Sequence, residues 1–140
     1  MDSNGILTPR LMHEYSYDQD NRVIEKTSGF GPASMVTLVD RYLWIGDLIS
    51  VVETYDSEDE LLHEYFYEYD DKRNYKKDNL FFIADPLNWL DHNATKLSIV
   101  DHSGLIDVVC LECDIDYSYN QDDYPVEVIY EWGEERITYQ

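Results

Sequence analysis

The chain has 140 residues and a mass of 16.6 kDa, and 44% of its residues are hydrophobic, enough to bury one core without metal or disulfide staples. Ten Lys and Arg stand against thirty Asp and Glu, and the formal charge of −20 repels nucleic-acid phosphate and anionic membranes alike. Regular apolar patterning excludes a disordered chain, and the acidity is left to serve solubility, cation binding or a basic partner.

In chain order, the first predicted element is His13-Glu14-Tyr15-Ser16-Tyr17-Asp18. Its two tyrosines, at i and i+2, share one face of a strand. Asp18-Gln19-Asp20-Asn21 then makes a turn, because Asp and Asn bond their own backbone and tolerate left-handed φ. Met35–Val39 is a further strand, and Tyr42–Ile45 and Leu48–Tyr55 flank Gly46-Asp47, a tight-hairpin signal with glycine first. Asp56-Ser57-Glu58-Asp59 turns into a strand over Leu61–Tyr69. That strand carries a second copy of the opening motif, His63-Glu64-Tyr65-Phe66-Tyr67-Glu68, and Asp70-Asp71-Lys72-Arg73-Asn74 is its expected turn.

Lys72, Arg73, Lys76 and Lys77 form a basic strip that either pairs with the acidic sheet or lines a solvated loop. In Asp85-Pro86-Leu87-Asn88-Trp89-Leu90-Asp91, a capping residue precedes proline, which predicts one short helical turn near 86–91 that plugs or caps the sheet. Asn93-Ala94-Thr95 matches a glycosylation sequon and reads as a turn. Leu97–Val100, Ile106–Tyr119, Val126–Trp132 and Arg136–Tyr139 complete the strands, and a weaker third copy of the motif lies at Ile115-Asp116-Tyr117-Ser118-Tyr119-Asn120. About nine short strands joined by tight turns predict an all-β antiparallel meander, a curved sheet or partial barrel, as one domain over residues 1–140.

Cys110 and Cys113 fall three apart in an alternating run, so a strand would turn their sulfurs away from each other; two packed, unbonded thiols are expected. His13 and His63 occupy equivalent repeat positions and would meet if their strands paired. Glu14 and Glu64 point the other way, which leaves a metal set incomplete. Calcium needs six to eight oxygens, more than the acidic turns supply on their own. No nucleophile elbow, zinc-protease helix, phosphate loop or dinucleotide fingerprint occurs. The expectation is therefore a non-enzyme with no metal and no cofactor. There is no apolar run long enough for a membrane-spanning helix. The start, Met1-Asp2-Ser3-Asn4-Gly5, lacks the basic and apolar regions of a signal peptide, so the chain as written reads as cytoplasmic, although removal of a leader would leave the same sequence.

The run Tyr15–Val23 resembles the hairpin unit of YD-repeat proteins. Together with Phe66–Asn74, Asp85–Leu90 and Asn93–Lys96, it resembles a family of β-rich bacterial domains, often lipoproteins of gut bacteria, with a porin-like fold. The likeness is best over residues 60–130. It implies a curved antiparallel sheet in the cell envelope or outside the cell, and it brings no catalytic residue. The leading functional reading is a non-enzymatic surface or periplasmic interaction module for a protein or glycan. Tyr15, Tyr17, Tyr65, Tyr67, Tyr117, Tyr119 and Trp89 are the candidate contact residues. The alternative is an acidic intracellular inhibitor, an immunity or anti-defence protein that blocks a basic toxin or nucleic-acid-binding site.

Thirty carboxylates against ten basic residues impose net self-repulsion on the folded state. Salt screens such repulsion over about 10 Å at 0.1 M. The melting temperature is expected to rise as sodium chloride goes from near zero to a few hundred millimolar. A flat or falling profile in differential scanning calorimetry would show that favourable ion pairs dominate instead.

Overall fold

The structure, a computed structural model, describes residues 11–30, 37–74, 76–77, 86–104, 112–130 and 133–137. Nine strands follow one another: β1 (Leu11–Tyr17), β2 (Val23–Phe30), β3 (Thr37–Ile45), β4 (Leu48–Tyr55), β5 (Leu61–Arg73), β6 (His92–Asp101), β7 (Glu112–Tyr119), β8 (Pro125–Tyr130) and β9 (Gly133–Arg136). Their order in the sheet is their order in the chain, and every pairing is antiparallel. The chain is the all-β antiparallel meander that its hairpins predict, and among the described residues no pairing returns β9 to β1, so the sheet is not closed. Among the described residues no helix is long and apolar enough to cross a membrane.

Three hairpins turn by one device. At Asp18, Asp56 and Asn120, a side-chain oxygen accepts the backbone N–H groups of the residues two and four further on, at 2.8–3.0 Å. The fourth residue of each turn, Asn21, Asp59 or Asp123, sits at a φ of 60° to 64°. Asn and Asp occupy that left-handed region at the least cost of any residue with a Cβ. A register shift precedes each turn at the same place, between Ser16 and Tyr17, Thr54 and Tyr55, and Ser118 and Tyr119. The turn between β3 and β4 differs: Gly46 leads a two-residue loop at φ 61°, with Asp47 outside the left-handed region, the type II′ pattern.

One face of the sheet, here the inner face, carries the core. Val23, Tyr42, Ile49, Val52 and Leu90 are buried, with Tyr15, Trp44, Tyr65, Tyr67, Tyr69, Leu87 and Trp89 packed around them. Full burial of such side chains is worth about 1.5–3 kcal/mol each. The predicted helical turn is a 3-10 turn at Pro86–Trp89, and it lies against this face: the Trp89 ring meets Tyr15 at 5.6 Å between centroids. The polar ends of the inner aromatics reach backbone oxygens; Trp44 Nε1 donates to Val23 O at 2.8 Å and Tyr69 Oη to Ile49 O at 2.6 Å.

Three expectations change, one that was open is decided, and β3 runs unbroken through what the sequence divides into two strands, Met35–Val39 and Tyr42–Ile45, over its described part. Asp70–Arg73 is not a turn but the end of the long strand β5, and the hairpin that matches those at Asp18 and Asn120 is the one at Asp56. Asn93-Ala94-Thr95 is strand rather than turn, and Asn93 is buried, out of reach of a glycosylating enzyme in the folded chain. The basic strip pairs internally: Lys72 reaches Asp123 at 3.2 Å, Lys77 bonds Asp91, and the Arg73 guanidinium bonds Tyr124 Oη and covers its ring. Finally, Cys113 is disulfide-bonded rather than a free thiol. The argument against a bond assumed a regular strand through both cysteines; described β7 begins at Glu112, and Cys110, the other cysteine of the sequence, lies outside the described residues. Met35, Thr37's neighbour Val36, Asp85 and the Ile106–Leu111 part of the predicted strand also lie outside them.

The shared turn geometry sets a mutational expectation. Asn21→Gly is tolerated, whereas the β-branched Asn21→Val costs about 1–2 kcal/mol in urea unfolding. Asp18→Ala lowers the melting temperature more than Asp20→Ala, because only Asp18 holds the two turn N–H groups. Equal effects at positions 18 and 20 would mean that the side-chain oxygen does not organise the turn.

Candidate binding site

The sheet opens between β6 and β7. Among the described residues three register pairs join them, Lys96↔Asp114, Leu97↔Cys113 and Ser98↔Glu112. Beyond these, the first residues of β6 pair with β5 alone and the last of β7 with β8 alone. β5 is irregular at the same level: its partners step from Lys96 to Ala94 at Glu68/Tyr69, and again between Tyr69 and Arg73. Thr95 is therefore left as the extra residue of a bulge.

Side chains take over where the backbone ladder stops. One Asp70 carboxylate oxygen accepts the N–H of Lys72 at 2.9 Å and of Asn93 at 3.2 Å, and the other accepts the Tyr119 hydroxyl. Tyr117 Oη donates to Ala94 O at 3.0 Å, so a second phenol of β7 is tied to β6. Asn93 Nδ2 donates to Arg73 O at 3.0 Å, which fixes the orientation of that buried amide. Burial raises the Tyr119 phenol well above its ordinary range, and the neighbouring Asp70 carboxylate raises it further.

The opening is a slot of about 430 Å³ lined by Glu68, Asp70, Thr95, Lys96, Asp114, Ile115, Asp116, Tyr117 and Tyr119. Four of these residues are carboxylates. Among the described residues, Lys96 is the only basic one lining the slot, and it is bound to Glu112 at 2.7 Å. That contact raises the lysine and lowers the glutamate from their ordinary values. The Tyr117 and Tyr119 rings stack at 5.9 Å and 27° on one side. Carboxylates beside tyrosine rings suit an ammonium or guanidinium group, by charge and by cation–π attraction.

The tyrosines singled out by the repeat have unequal places. Tyr15, Tyr65, Tyr67 and Trp89 are half-buried against the core, and Tyr17 is exposed beside its turn. Tyr117 and Tyr119 stand at the slot. The slot's carboxylates were missed in the sequence because thirty such residues are spread along the chain; the irregular spacing from Asp70 to Asn74 was the available signal and was taken for a turn.

The histidines are held apart. Three strands separate β1 from β5; His13 Nδ1 lies 2.9 Å from Ser28 Oγ, and His63 Nε2 lies 3.3 Å from Asp101. Among the described residues no group of three His, Cys, Asp or Glu is placed to hold a metal ion. Ser103, His63 and Asp101 do cluster. However, Ser103 Oγ and Asp101 both approach Nε2, and the hydroxyl donates to Asp101 at 2.7 Å. A hydrolytic triad places carboxylate and hydroxyl on opposite ring nitrogens, so this cluster reads as a polar brace. It extends an inner-face row that runs by register through Lys26, Asp40, Thr54, His63 and Asp101.

No family model matches the chain, and neither a curated protein nor a solved structure matches it.

Tyr119→Phe removes a bond to a buried-side carboxylate and is expected to cost about 1–3 kcal/mol at neutral pH. The raised phenol contributes stability that is complete below the ordinary tyrosine value of about 10 and fades as pH climbs through the folded value. The penalty measured by urea unfolding should therefore shrink between pH 8 and about pH 11. A penalty independent of pH would separate Tyr119 from the carboxylate.

Proposed function

We propose that this chain is a non-enzymatic binding module whose slot between β6 and β7 receives a basic side chain of a protein partner. The observation that carries the reading is the slot itself: Glu68, Asp70, Asp114 and Asp116 line it together with Tyr117 and Tyr119, and the lysine at its wall is already paired. A protein partner is favoured over a glycan because Tyr15, Tyr65, Tyr67 and Trp89 lie against the molecule's own core, which leaves little open ring face for a sugar. The excess of carboxylates draws a cationic partner from a distance and speeds its docking.

The disulfide at Cys113 supports an oxidising setting, the cell envelope or the exterior, over the intracellular inhibitor. The family resemblance points the same way.

Isothermal titration with a short oligo-arginine peptide tests the reading. Asp114→Asn with Asp116→Asn is compared with Asp47→Asn plus Glu58→Gln, which removes the same charge elsewhere. The slot pair should weaken binding roughly tenfold, and the control pair far less. Binding should also fall steeply with salt. Equal losses from the two double variants would leave only a diffuse charge effect and sink the slot.

A further inference from the structure

We infer that the outer face beside the slot is a docking strip for an apolar and basic segment of that partner, which rests on the slot reading and extends it. Register places Leu43, Val51 and Phe66 side by side on β3, β4 and β5, followed by Ser98 and Glu112 on β6 and β7. This row faces away from the core: Leu43 is 42% exposed and Phe66 38%. Ile45, two residues beyond Leu43, is 73% exposed, and Val100, beside Glu64, is 42% exposed. Antiparallel sheets more often present a polar outer face, so a ladder of adjacent apolar side chains there is the feature to be explained.

What brackets the ladder identifies its occupant. On one side, by register, run Glu25, Arg41, Glu53 and Glu64, with Arg41 already held by Glu25 and Asp59. On the other side lie Glu68, Lys96 and Asp114, the outer rim of the slot. Phe66 and Glu68 are two apart on one strand face, so the ladder leads directly into the slot. The complement is a segment with apolar residues for Leu43, Val51 and Phe66 and with basic residues on its flanks, one of them entering the slot. A second copy of this chain would bring its own −20 charge to the same carboxylates, and an anionic membrane is repelled in the same way. A basic protein segment meets both conditions.

Two synthetic peptides of equal length and charge separate the ladder from the slot, one alternating arginine with leucine and one alternating arginine with serine. The leucine peptide should bind the native protein roughly tenfold more tightly. Leu43→Ser and, separately, Phe66→Ser should erase that preference and leave the serine peptide unaffected, with melting curves confirming that each variant is folded. Asp114→Asn with Asp116→Asn should weaken both peptides. Equal affinity of the two peptides for the native protein, or a preference that survives in both serine variants, overturns the ladder without touching the slot. Loss of the preference in the serine variants, combined with indifference to the slot variants, keeps the ladder and discards the slot. Sedimentation showing a native dimer that Phe66→Ser dissociates would assign the strip to a second copy and overturn the proposal.

Discussion

The continuity of this sheet depends on one carboxylate. Where β5, β6 and β7 fall out of register, Asp70 receives two backbone N–H groups and a phenol. Unpaired buried polar groups cost more than a hydrogen bond returns, so a sheet can open at this point only if another acceptor fills the gap. Asp70 is that acceptor, and Asn93 beside it adds a bond to Arg73 O. The consequence is an opening with polar walls inside an otherwise paired meander.

The hairpins use the opposite strategy. At Asp18, Asp56 and Asn120 the side chain acts within its own turn, and a left-handed residue and a preceding bulge recur with it. Because those bonds are local, the turn chemistry was legible in Asp18–Asn21 and Asp56–Asp59, and so were the Gly46 turn and the short helical turn at Pro86; β2, whose Val23-Ile24-Glu25-Lys26-Thr27-Ser28 run alternates poorly, was not. Asp70 defeated the same rule because its partners, Asn93 and Tyr119, are distant in sequence. A composition that ends a strand elsewhere here continues one. The disulfide at Cys113 escaped for a related reason, since strand alternation is an argument about regular geometry. The outer ladder was also hidden: Leu43, Val51 and Phe66 become neighbours only through the register of three strands.

Charge is arranged as well as abundant. Arg22 stays with Asp18 of its own turn, Arg41 reaches across to Asp59 while lying 4.2 Å from the centre of the Tyr55 ring, and Lys72 reaches Asp123. Each of the three matching turns is thus held by a cation, two of them from another strand. Such exposed pairs contribute little individually, but they place the scarce positive charge at the turns. Along the outer face and around the slot the carboxylates remain in excess.

The order of the strands also governs how the chain can acquire its structure. Each described pairing joins neighbours in sequence, so most of the sheet can zip hairpin by hairpin with short loop closures. Between described strands the widest separations in sequence are from Arg73 to His92 and from Asp101 to Glu112. These flank β6, which three ladder pairs join to β7 among the described residues. Entropy therefore places β6 late in assembly: the early hairpins are complete while the Asp70 junction is still unformed. A nascent chain would hold its local turns before the junction of β5, β6 and β7 could close around Asp70.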